Sequence, residues 1–130
     1  MDDEQLTARA KSWIEYHKLP LRSEDRLMRS EEGNDLDLLW NDPEALWQLI
    51  LRIHSYDRSP EIQQVLSAGP IENLLAEHGD NFIDRVEATA QDDPEFAKVL
   101  GGVWQNSMSD ALWQRIQAVW DRRGWDGIPE

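Results

Sequence analysis

AGPIENLLAEHGDNFIDRV, residues 68–86, reads as two helices joined at a glycine turn. Gly69-Pro70 is expected to stop whatever precedes it, and Pro70 has the fixed φ suited to a first helical position, with Glu72 near the positive end of the dipole. Ile71, Leu74, Leu75 and His78 then recur at the spacing of one helical face. Gly79 is read as the C′ residue that ends this helix, and Asp80 or Asn81 as the cap of the next. In that second helix Phe82, Ile83, Val86 and Ala90 form the apolar side, and Asp80, Asp84 and Glu87 an acidic stripe opposite.

The same grammar recurs on either side. Asp42-Pro43-Glu44, Ser59-Pro60-Glu61 and Asp93-Pro94-Glu95 each place a capping side chain, a proline at the first turn and a glutamate where the dipole favours an anion. Ala45 to His54 is apolar nearly all round and is expected to be the most buried helix. At the N-terminus, Asp2 or Asp3 caps a helix with Leu6, Ala10, Trp13 and Ile14 on its inner stripe, ending before Leu19-Pro20. Leu21 to Asn34 reads as a short helix or turn, and Leu36 to Trp40 as helix. The last helix is expected from about Ser109 to Arg123, closed by Gly124.

No stretch alternates in the manner of a β-hairpin. The expected fold is all-α, with seven or eight short helices in antiparallel hairpins, arranged as a HEAT-like stack or a compact bundle. One helical domain is expected over 1–130, with residues 1–35 as its N-terminal helical segment.

Composition narrows the function classes. Cysteine is absent, which removes disulfides and thiolate chemistry and fits a cytoplasmic protein. No run approaches the roughly 20 apolar residues of a membrane span, and no signal peptide is apparent. Acidic residues number 26 against 13 basic, giving a net charge of −13. Such a surface repels nucleic acid and anionic lipid and steers basic partners, an effect that salt screens.

Motifs for catalysis are missing from the sequence. His17, His54 and His78 have no partner at metal-ligand spacing, and Gly101-Gly102 lacks the lysine of a phosphate loop. Glu31 to Asp37, EEGNDLD, is out of register for a calcium loop. Neither metal nor cofactor is expected, and the chain is not expected to be an enzyme. Of the seven tryptophans, Trp13, Trp47, Trp113 and Trp120 are assigned to inner faces, and Trp40, Trp104 and Trp125 to helix ends or loops.

The expected function is therefore a protein-binding module that neutralises a basic partner, most specifically an immunity protein acting on a toxin. Its candidate contact residues are Asp35, Asp37, Trp40, Asp42 and Glu44, or the stripe of Asp80, Asp84 and Glu87.

The series AGP, LL, HG, FIDRVE and LGGVW, with Trp47-Gln48-Leu49-Ile50 before it and Trp113 after it, resembles a family of small bacterial proteins of unknown function over about residues 40–120. The resemblance carries no reaction. Within it Glu72, His78, Asp84 and Arg85 are the polar residues without an evident packing role. They define the alternative reading: a pocket of a small enzyme or ligand-binding domain, with histidine as base and arginine as anion clamp.

Overall fold

In the computed structural model, which describes residues 2–122, the helix starts read at Asp2, Asp42, Asp93 and Ser109 are made by local hydrogen bonds. Asp2 and Gln5 form a reciprocal capping box, with Gln5 N–H donating to Asp2 Oδ1 at 2.8 Å and Asp2 N–H to Gln5 Oε1 at 3.0 Å, and so begin α1, Asp3–Lys18. Ser23 caps the short α2, Glu24–Met28, which a 3-10 turn, Ser30–Gly33, follows. Then come α3, Leu36–Asn41, and α4, Pro43–Tyr56, the latter capped by Asp42 through Ala45 N–H at 3.1 Å. Pro60–Leu66 is α5, and a π-helical turn, Ser67–Ile71, leads into α6, Glu72–Asp92. Asp93 caps α7, Pro94–Leu100, and Ser109 caps α8, Asp110–Val119. The fold is all-α: no strand occurs among the described residues, and no helix among them is long and apolar enough to cross a membrane.

The chain divides into two compact units, Met1–Leu66 and Ser67–Glu130. In the first, α1 and α5 pack on α4, whose Leu46, Trp47, Leu49, Ile50 and Ile53 are buried as its apolar sequence requires. His54 joins them in the interior, where its Nδ1 lies 2.8 Å from Gln63 Oε1 while Gln63 Nε2 donates to the Asp57 carbonyl, tying α4 to the start of α5. In the second unit α6 is the hub, with α7, α8 and the π turn against it.

The segment between α2 and α3 is held onto α1 by a ladder of polar contacts. Arg29 grips Glu32 and reaches Glu15 at 3.1 Å; Gly33 sits on the Tyr16 ring; Arg9 donates to the Asn34 carbonyl at 3.0 Å and pairs with Asp37. Trp13, almost fully buried, donates its indole N–H to Asp35 at 3.3 Å. The carboxylates of EEGNDLD that take part, Glu32, Asp35 and Asp37, are thus fastenings of a loop to a helix.

His17 belongs to this ladder and is expected to give the first unit a pH-dependent stability. Burial lowers its pKa below 6.5 and neighbouring Arg26 lowers it further, while a hydrogen bond that the imidazole donates to the Gly33 backbone acts the other way. A lowered folded-state pKa means that the unfolded chain binds the proton first, so the contribution is intact above pH 6.5 and is lost as pH falls through the folded value. The denaturation midpoint of the parent is expected to drop between pH 7.5 and 5.5 more steeply than that of His17→Gln; parallel curves would show that His17 has no such role.

Four sequence expectations need correction. Gly69-Pro70 opens no helix; both lie inside the π turn, and the regular helix begins at Glu72. Gly79 does not end a helix, and Asp80 and Asn81 are not caps, because α6 continues to Asp92 and only bends where His78 takes φ −132° and ψ 18°. The reason is packing: Gly79 is buried, and a Cβ there would stand 2.3 Å from Leu112 Cδ2, so its missing side chain admits α8 onto α6. Finally, α8 ends at Val119, because Trp120 turns to extended backbone, meets Trp113 edge to face at 5.1 Å, and leaves Asp121 N–H to bond the Ala97 carbonyl at 2.8 Å. Trp113 and Trp120 are accordingly half-buried, unlike Trp13 and Trp47. Arg123, Gly124 and Trp125 lie outside the described residues.

Candidate functional site

The acidic residues divide into those the fold uses internally and those it leaves to solvent. In the first unit Asp35 is buried, and desolvation pushes its carboxyl above the usual range against the opposing pull of Trp13 and Arg9. Asp37 is exposed but held by Arg9 in a two-point grip, which keeps its carboxyl below the usual range. Asp42 is spent on capping α4. Glu44 and Trp40 reach the surface, Trp40 with 63% of its area exposed.

Trp40 is not alone. Leu36, one turn before it on α3, is also exposed, and its spacing puts it on the same face. Upstream, α2 buries none of its residues; Leu27 and Met28 within it and Leu21 before it are open to solvent. Sequence reading found Trp40 and missed these aliphatic side chains, since an isolated leucine in a polar stretch carries no sign of which way it faces.

In the second unit the stripe of Asp80, Asp84 and Glu87 is partly neutralised from within. Arg115, on α8, donates to Asp84 at 2.7 Å and through Nε to Glu87 at 3.0 Å. Glu72 is engaged as well, accepting the Trp104 backbone N–H at 2.7 Å and so holding the loop after LGGV; Trp104 itself is exposed. Arg85 lies over the Phe82 ring at 4.5 Å.

Beside the bend in α6 there is a cleft of about 420 Å³, bounded by residues 75–81 of α6, by Ser107 and Met108 of the loop between α7 and α8, and by Ser109 and Leu112 at the start of α8. His78 and Asp80 border it. Glu72, Asp84 and Arg85 do not line it. No group of three or more His, Asp or Glu able to hold a metal occurs among the described residues.

No curated protein and no solved structure matches the chain. A family match does exist, and it begins at residue 20, upstream of the stretch in which the sequence resemblance was apparent, so that α2 and α3 fall within it. Matched over residues 20–124, the chain belongs to the family of unknown function DUF6869.

Proposed function

We propose that the chain is an acidic protein-binding module that captures a basic partner through the surface of α2 and α3, and that its most specific role is to neutralise that partner, as an immunity protein does a toxin. The observation that carries this reading is the concentration of exposed apolar side chains in one acidic stretch. Leu21, Leu27, Met28, Leu36 and Trp40 all lie within residues 21–40, while residues 19–44 hold eight acidic against three basic side chains. An aromatic anchor with aliphatic neighbours supplies contact area, and an acidic surround supplies steering and partner choice. Asp37, Asp42 and Asp35 support the surface by fixing α3 and α4, and Trp40 is offered for contact.

The other reading, a small enzyme or ligand-binding domain built on Glu72, His78, Asp84 and Arg85, has less support because only His78 of the four borders the cleft.

The test is capture of partners from the native lysate with the full chain, followed by titration calorimetry of the captured protein against parent and Trp40→Ala. The expected partner is basic, its affinity falls with salt, and Trp40→Ala weakens it about thirtyfold, the loss usual for a central aromatic anchor. A partner that ignores both salt and Trp40, or the absence of any saturable partner at low salt, removes the proposal.

A further inference from the structure

α2 is a helix without a buried face. Five residues long, Glu24–Met28, it buries none of them, and Leu27 and Met28 stand 75% and 86% exposed. Its sequence suits a helix: Ser23 Oγ accepts the Arg26 N–H at 3.2 Å, and Glu24 and Asp25 sit at the positive end of the dipole. Local terms of this size do not hold so short a segment, because nucleation costs more than one turn returns, and isolated helices below about 12–15 residues are marginal in water. Helices in proteins persist mainly by packing an apolar face, and α2 packs none.

Its fastenings are few. Among the described residues, the polar contacts of α2 side chains are those of Arg26, which lies over the Tyr16 ring at 4.8 Å and donates to the Leu19 carbonyl at 3.0 Å. On either side the chain is fixed. Leu19 N–H bonds the Tyr16 carbonyl at 3.1 Å, and from Arg29 onward the ladder of Glu15, Glu32, Asn34 and Asp37 holds the chain to α1. Residues 20–28 thus bridge two anchored points, so α2 can open locally while α1 and the ladder stay in place.

What α2 lacks, a basic partner with an apolar contact would supply. Glu24 and Asp25 enter no ion pair among the described residues, and Leu27 and Met28 follow them at the three- and four-residue spacings that share a helix face.

We infer that α2 is completed by binding: in the free chain it passes between helix and open chain, and the basic partner, by covering Leu27 and Met28, fixes it as a helix. The inference rests on the reading of the α2 and α3 surface given above. Only chains with α2 closed are competent, so the apparent Kd exceeds the intrinsic one by the inverse of the closed fraction.

Amide hydrogen exchange of the full chain, read residue by residue, tests the free state. Leu27 and Arg29, whose N–H groups bond the Ser23 and Asp25 carbonyls at 3.3 and 3.0 Å, are expected to be protected less than about tenfold, against about 1,000-fold or more for amides inside α4. In the complex with the purified partner of the calorimetric test, both amides are expected to gain at least about tenfold. Ser23→Ala is expected to weaken that partner about fivefold, the usual worth of a cap, and Ser23→Asn, which keeps a capping oxygen, to restore the affinity. Were α2 closed in the free chain, the cap would be lost equally from free and bound protein and the affinity would not move. Ser109→Ala, which removes the cap of α8, leaves the affinity unchanged.

Protection of Leu27 and Arg29 equal to that of α4 in the free chain overturns the inference and leaves the surface free to bind as a preformed face. A complex that leaves these amides unprotected, or a Ser23→Ala variant with the parent's affinity, overturns it as well. The absence of any saturable partner overturns the reading of the surface instead, whatever the exchange of the free chain, and the partner's part in closing α2 falls with it.

Discussion

Gly79→Ala is expected to destabilise the protein by about 1–3 kcal/mol, although alanine is the better helix former by about 1 kcal/mol. The added methyl would stand 2.3 Å from Leu112 Cδ2 and 3.3 Å from its Cδ1. Leu112 is itself buried and also borders the cleft beside Gly79, so the end of its side chain must swing toward that space, and the packing it gives up is expected to outweigh the propensity gain. Gly69→Ala is the control: no atom lies within 4 Å of its would-be Cβ, and the same substitution there is expected to be neutral or stabilising by up to about 1 kcal/mol through the unfolded state. Urea midpoints of the two variants check the pair. A double variant, Gly79→Ala with Leu112→Ala, is expected to lose less than the two single variants together, since the second change empties the space the first requires. Strict additivity, or a neutral Gly79→Ala, would show that α8 does not rest on this glycine.

That comparison also marks where the sequence could be read and where it could not. The helix starts at Asp42, Ser59, Asp93 and Ser109 were legible because capping is local: each acts on an amide two or three residues away, and sequence spacing specifies that contact. The interior of α4 was legible because an all-round apolar segment has few alternatives to burial. Gly79 was not, because a glycine that ends a helix and a glycine that admits a neighbouring helix look alike until the neighbour, 33 residues later, is in place. The end of α8 failed for a related reason: Trp120 leaves the helix for contacts with Trp113, and Asp121 N–H then bonds the Ala97 carbonyl, neither of which a local signal encodes.

The candidate site was legible only in outline. Net charge and tryptophan count indicated an acidic surface with aromatic contacts. Which carboxylates the chain consumes depended on arginines 28 or more residues distant: Arg9 for Asp37, Arg115 for Asp84 and Glu87. For the same reason His78 was singled out with Glu72, Asp84 and Arg85, whereas the groups that share its cleft are Glu77 and Asp80 on α6 and Ser107 and Ser109 beyond it.

Trp13→Phe is expected to be among the most damaging conservative changes, and its cost is expected to depend on pH. The indole fills the interior beneath α1, meets the His17 ring in a tilted contact with centroids 4.2 Å apart, and gives Asp35 its side-chain donor. Phenylalanine leaves a gap and removes the donor, so a buried carboxylate loses the hydrogen bond that offsets its desolvation. An unsatisfied buried group costs about 1–3 kcal/mol, more when charged, and the smaller ring adds a packing loss. Asp35 already has a pKa raised above 3.8 by burial, so its effect on stability is favourable at low pH and is lost as pH rises through the folded-state value. Without the indole N–H that value rises further. The stability gap between parent and Trp13→Phe is therefore expected to be widest near pH 7 and to narrow as pH falls through the raised folded-state values, below which Asp35 is protonated in both folded proteins. Asp35→Asn keeps an acceptor for Trp13 without the charge, and is expected to be more stable than the parent at pH 7 by an amount that vanishes in acid. Urea midpoints of the three proteins at pH 7 and pH 4 decide the matter. A gap that stays constant with pH would mean that Trp13 acts by volume alone and that Asp35 carries no uncompensated charge in the fold.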